Sequence, residues 1–135
     1  MKQKLYKANG FILMQAVGAV LLIVMLSVVV IVAGSTYINA GKRSTAASDT
    51  AALGGYISQY RMEMGTYPGK LDDLTKTKGQ YGPWLREVPN DPFGNSYQYI
   101  SNGNKGFVVF SVGQDGQASS SIDSGICGDD IGYSE

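Results

Sequence analysis

Phe11 to Gly34 reads FILMQAVGAVLLIVMLSVVVIVAG, and this stretch decides the architecture. Its 24 residues include two plainly polar side chains, Gln15 and Ser27, and no charged residue falls between Lys7 and Lys42. As a helix the run is roughly 36 Å long, enough to cross a hydrocarbon core of about 30 Å. A helix lying on a soluble core keeps one polar face, and this one has none. A short basic amino end before an apolar run is also the pattern of a secretory signal peptide, whose apolar core is only about 7–15 residues and ends at a small-residue cleavage site. Here the run passes unbroken into a second helical pattern. On hydropathy alone, a plain signal anchor stays open.

Past Lys42 the texture changes. Ala46, Thr50, Leu53, Ile57, Tyr60 and Met64 recur at steps of three and four and mark one face of an amphipathic helix. Asp49, Ser58, Gln59, Arg61 and Glu63 fall largely off that stripe. The two segments read as one helix from Phe11 to Met64, with Gly34, Gly41 and Gly54-Gly55 as points where it could bend. Gly65 is suited to the cap, and Pro68 follows.

Short elements and turns come next. Leu71 to Leu74 suggests a brief helical turn, while Tyr97–Ile100 and Phe107–Ser111 are β-rich runs around an Asn102-Gly103-Asn104 hairpin loop. Alternation puts Phe107, Val109 and Ser111 on one face and Val108 and Phe110 on the other, without saying which is buried. The tail from Gly113 to Glu135 is rich in Gly, Ser and Asp, too polar to fold by burying apolar surface. The expected fold is α+β: a long N-terminal helix packed on a small antiparallel sheet of about three strands, with a loop-rich tail. Tyr56, Ile57 and Tyr60 should face the sheet, and Trp84, Phe107, Val109 and the loop around Phe93 should complete the core. The expected divisions are 1–10, a basic leader; 11–34, the apolar helix; 35–64, its amphipathic continuation; and 65–135, a small β domain with an acidic tail.

Composition removes several function classes. The 11 basic and 11 acidic side chains balance, and without Lys2, Lys4 and Lys7 the count is 8 against 11, a net of −3. No basic stripe suited to nucleic acid is present. Cys127 is the lone cysteine, so no intrachain disulfide forms, and the absence of histidine excludes Ser-His-Asp and Cys-His catalysis and His-bound zinc. No nucleophile–base pair stands at informative spacing, so an enzyme is not expected.

Five motifs carry a family resemblance. Lys7-Ala8-Asn9-Gly10 followed by Phe11 and the apolar run resembles the leader of type IV pilins and type II secretion pseudopilins. Met64-Gly65-Thr66-Tyr67-Pro68 resembles the "xGxYP" after the long helix of major pseudopilins, and Val88 to Tyr99 (VPNDPFGNSYQY) resembles "lPxDPWGxxYxY", with Phe93 for tryptophan. Phe110-Ser111-Val112-Gly113-Gln114-Asp115-Gly116 resembles "FSxGxDG", and Asp129-Asp130-Ile131-Gly132 the closing "DDIG".

The resemblance implies a structural subunit of a pilus or pseudopilus, polymerised through its N-terminal helix. It implies cleavage between Gly10 and Phe11 by a prepilin peptidase and methylation of Phe11. The implied site is the inner membrane: a single pass through the bilayer, the following domain outside the cytoplasm, and assembly by a platform membrane protein into a filament with other pilin-like subunits. Lys2, Lys4 and Lys7 favour that orientation, although Lys42 and Arg43 beyond the other end weaken the signal. The resemblance further implies a calcium ion held by Asp115 and Asp130, with Asp129, Asp123 and the Val112 carbonyl as further ligands. The segment between the two acidic motifs departs from the family's spacing. Gln15 stands where the family has a glutamate that pairs with a neighbour's amino terminus during assembly, which admits a minor or tip subunit as the alternative. A monomeric membrane-anchored binding module is the other, and the choice among pilus, secretion and DNA-uptake systems stays open.

Overall fold

The structure, a computed structural model, describes residues 2–103 and 105–135, with side chains described throughout except at 2–10, 32, 33 and 35. Met1, the leader side chains Lys2, Lys4 and Lys7, and Asn104 of the hairpin loop therefore lie outside the described residues. The elements in order are α1 (Lys2–Met64), a 3-10 turn (Leu71–Thr75), β1 (Gln98–Ser101), β2 (Phe107–Ser111) and β3 (Ile131–Ser134). The chain divides into two compact units, Met1–Asn39 and Ala40–Glu135.

The first unit is helix alone. Its side chains from Phe11 to Ile31 stand exposed, and the Ser27 hydroxyl donates to the Ile23 carbonyl at 2.7 Å, which keeps a lone polar group satisfied on an apolar surface.

In the second unit the amphipathic stripe is the buried face. Ala46, Thr50, Leu53, Ile57 and Tyr60 are all buried, Met64 and Tyr56 are half-buried, and the buried Thr50 hydroxyl donates to the Ala46 carbonyl at 2.9 Å. The helix stops at Gly65, whose φ of 78° and N–H bond to the Arg61 carbonyl form a left-handed cap that a residue with a Cβ resists. Leu71 and Leu74 then drop into the core, and the Leu74 carbonyl accepts the N–H groups of both Trp84 and Leu85. This places the Trp84 ring 4.6 Å from Tyr60, with its indole N–H on Glu63.

The sheet is antiparallel in the order β1-β2-β3, with Tyr99 opposite Val109 and Val109 opposite Tyr133. β2 is buried along its whole length because both faces are covered. Phe107 and Val109 join Leu53, Ile57, Tyr60, Tyr67 and Trp84 on the helix side, while Val108 and Phe110 pack with Val112, Ile122 and Ile126 on the other.

Three expectations change. The tail is built structure: it supplies β3 and two isoleucines to the second core. β1 begins at Gln98 rather than at Tyr97, which is buried, 5% exposed, and donates its hydroxyl to Asp49 at 2.9 Å. Burial first, then Asp49, pushes the Tyr97 hydroxyl pKa far above its ordinary value. Phe93 is half-buried beneath Lys42 rather than in the core, and Asp91 is the buried residue of its loop.

Two glycines fix how β3 docks. A Cβ on Gly54 would sit 2.5 Å from the Tyr133 ring, so this glycine is a notch for β3, and α1 passes through it as regular helix. A Cβ on Gly132 would sit 2.5 Å from the Val109 carbonyl oxygen, which is backbone and cannot step aside. Gly132→Ala should therefore cost about 1–3 kcal/mol as β3 is wedged from β2. Urea unfolding of the full chain in detergent micelles measures it, and an unchanged midpoint would contradict this packing.

Candidate functional site

Three regions carry the residues singled out by sequence. The first is the helix surface after Gly10. Phe11 is 73% exposed, Gln15 is exposed beside it, and the helix is long and apolar enough to cross a membrane with none of that apolar stretch buried in the molecule. So much uncovered apolar surface requires a partner, lipid or protein.

The second is the loop of the Val88–Tyr99 motif. Its chemistry is structural. Asp91 is 4% exposed, and its Oδ1 accepts the N–H groups of Phe93 and Asn95 at 3.1 and 2.7 Å. Its Oδ2 accepts the buried Ser111 hydroxyl at 2.5 Å, and the Asp91 N–H donates to the Asn95 carbonyl. One carboxylate thus closes the turn at Gly94 and ties it to the end of β2. No signal in the sequence links Asp91 to Ser111 twenty positions away.

The third is the acidic tail. Asp129 and Asp130 close against the loop after β2, where Gly113 approaches Asp129 so tightly that a Cβ would lie 2.5 Å from the Asp129 carbonyl oxygen. Asp129 Oδ2 accepts the Gln114 N–H at 2.7 Å, and its Oδ1 takes the Arg43 guanidinium from α1. The Gln114 N–H first, then Arg43, hold the Asp129 carboxyl below the usual range. Asp130 is 5% exposed; its Oδ2 accepts the Ser119 N–H at 2.8 Å and the Ser120 hydroxyl at 2.6 Å, whereas its Oδ1 is buried and has no partner. Val112 is buried beside this loop. Asp115 is exposed and caps its own turn by accepting the Gln117 N–H, and Asp123 stands exposed on the turn closed by the Ser121–Gly125 bridge.

These residues fit a hard cation in one specific respect. A buried, orphaned carboxylate oxygen is costly unless something charged or donating meets it. Among the described residues no group of three acidic or thiol side chains forms a metal cage, so an ion here would draw further oxygens from backbone, hydroxyls or water.

The family model for the type II secretion system protein G matches residues 35–128. A type II secretion system core protein G of Xanthomonas campestris pv. campestris is 32% identical to this chain over 117 residues, covering 79% of this chain and 82% of the relative. The core protein G of Vibrio cholerae is 29% identical, covering 85% and 86%, and that of Pseudomonas aeruginosa 28%, covering 81% and 85%.

Removing the Asp91 peg tests the loop. Asp91→Ala strands the buried Ser111 hydroxyl and two backbone N–H groups, at a cost of about 3 kcal/mol. Ser111→Ala should cost only about 1 kcal/mol, since the carboxylate keeps its two backbone donors. Denaturant midpoints of the two variants in micelles measure the order, and equal losses would contradict the assigned network.

Proposed function

We propose a role that proceeds from family membership: the chain belongs to the type II secretion system protein G family, the major pseudopilins, and is a structural subunit of a pseudopilus. It is made as a precursor, held in the inner membrane by one pass of its apolar helix, and cut by a prepilin peptidase between Gly10 and Phe11. The domain beyond Lys42 faces the periplasm. An assembly-platform protein then moves the helix from the bilayer into a filament of copies of this chain and other pilin-like subunits. The observation that carries this reading is the run from Phe11 to Ile31, whose described side chains are all exposed. Lipid satisfies it before assembly and neighbouring helices afterwards.

Gln15 favours a second reading, a minor or tip subunit. Its amide hydrogen-bonds a neighbour's amino terminus but leaves that positive charge unneutralised, and an unpaired charge in hydrocarbon costs several kcal/mol. Mass spectrometry of sheared filaments tests both at once. Phe11, methylated, should be the first residue, and this chain should be the most abundant subunit. An intact Met1 in the assembled form overturns the processing, and a trace amount moves the chain to the tip.

Calcium is the second element of the proposal. Asp130 Oδ1 would anchor the ion, with Asp115 and the Val112 carbonyl from the facing loop; Asp123 is the outermost candidate. Bound there, the ion supplies a cross-link between the loop after β2 and the start of β3 in a chain without disulfides. Binding to the folded state alone adds about 2.7 kcal/mol at a hundredfold excess over Kd. The full chain in micelles should melt higher in calcium than in EDTA, and Asp130→Ala should abolish the difference. Magnesium should substitute poorly, because it gives up its waters reluctantly. Superimposable curves in calcium and EDTA would remove the ion from the proposal.

A further inference from the structure

We infer that Arg43, on the first turns of the second unit, sets the affinity of the tail's cation site by holding Asp129 out of the ligand set. The inference rests on the calcium reading and deepens it. Asp129 and Asp130 are adjacent, yet they are committed differently. Both Asp129 oxygens are engaged: Oδ1 by the Arg43 guanidinium and Oδ2 by the Gln114 N–H. Asp130 keeps one oxygen, Oδ1, buried and without a partner. The acidic pair therefore offers a cation a single free carboxylate oxygen, and the reason is a side chain 86 positions earlier.

Charge and chemistry point the same way. Affinity for calcium follows the number of anionic ligands and the rigidity of the site. A guanidinium beside the site lowers the first of these, since it occupies one carboxylate and sets a positive charge near the incoming ion. Arg43 is 48% exposed and Asp129 32% exposed, so the pair is screened and contributes little to stability by itself. Its effect falls on what the carboxylate is free to do. Without an ion, the same pair links the loop before β3 to α1 and occupies one potential ligand.

The prediction runs against the usual effect of removing an ion pair. Arg43→Gln should tighten calcium binding about three- to tenfold, the effect of deleting one nearby positive charge and freeing one carboxylate under near-aqueous screening. Arg43→Lys keeps the charge and should stay within about twofold of the parent. Asp129→Ala placed on Arg43→Gln should return the affinity to the parent value or weaker. Calorimetric titration of calcium into the full chain in micelles reads Kd directly, and melting curves in EDTA confirm that each variant is folded. If the parent binds calcium and Arg43→Gln binds it equally or more weakly, the inference is overturned while the calcium site stands. If neither protein binds calcium, the calcium reading and the inference fall together. Binding seen only in Arg43→Gln would support the inference and show that the parent's site is masked.

Discussion

β2 has five residues and no exposed face, and the folding of the unit Ala40–Glu135 depends on that double burial. A two-stranded hairpin is marginal in water, and a small sheet becomes stable by gaining a third strand and by packing against a helix. Here the helix stripe covers Phe107 and Val109, while the segment around Ile122 and Ile126 covers Val108 and Phe110. The helix side brings the aromatic mass, with Tyr67 and Tyr99 packed around Phe107. The tail side is small, so its contribution comes as much from fixed hydrogen bonds as from area, through Ser120 and the Asp130 carboxylate.

This explains why some of the molecule was legible in the sequence and some was not. The helix face from Ala46 to Met64, the cap at Gly65 and the run Phe107–Ser111 are local signals, written in spacing and turn chemistry, and the structure follows them. The tail's polarity points to ordering by something other than apolar burial, and its average hides two isoleucines that pack against β2. The loop around Phe93 is held by the buried aspartate two residues earlier, while Phe93 itself stays half-buried. The links that assemble the domain are long-range: Tyr97 to Asp49, Arg43 to Asp129, Gly54 to Tyr133. No periodicity encodes such pairings. Of the candidate site, the acidic residues were visible, but their unequal commitment was not. It depends on which oxygen meets which donor.

Small domains that lack disulfides hold polar segments by hydrogen bonds, by ions, or by both. This chain uses carboxylates in two distinct ways. Asp91 is satisfied within the protein, with three donors converging on two oxygens. Asp130 has the same burial but one oxygen left over. The first arrangement is complete without any ligand, whereas the second retains an electrostatic deficit that a cation or water would remove. Asp129 stands between the two cases, satisfied by a partner that is itself half exposed and exchangeable. The three aspartates form a series from permanent peg to open ligand, set by whether each carboxylate oxygen meets a donor and by how exposed that donor is.

The first unit obeys a different constraint. Its described side chains from Phe11 to Ile31 are exposed, so this apolar surface calls for an apolar partner, lipid or protein. Lipid and packed helices are nearly equivalent solvents for such side chains, so the hydrophobic effect contributes little to moving between them. Direction must come from polar groups, whose energy differs sharply between hydrocarbon and a partnered site. In the run from Phe11 to Gly34 the polar side chains are Gln15 and Ser27, and Ser27 is already bonded to the Ile23 carbonyl. Gln15 is the other polar side chain of the run and is exposed, and in hydrocarbon a neutral amide gains less from a partner than a carboxylate does.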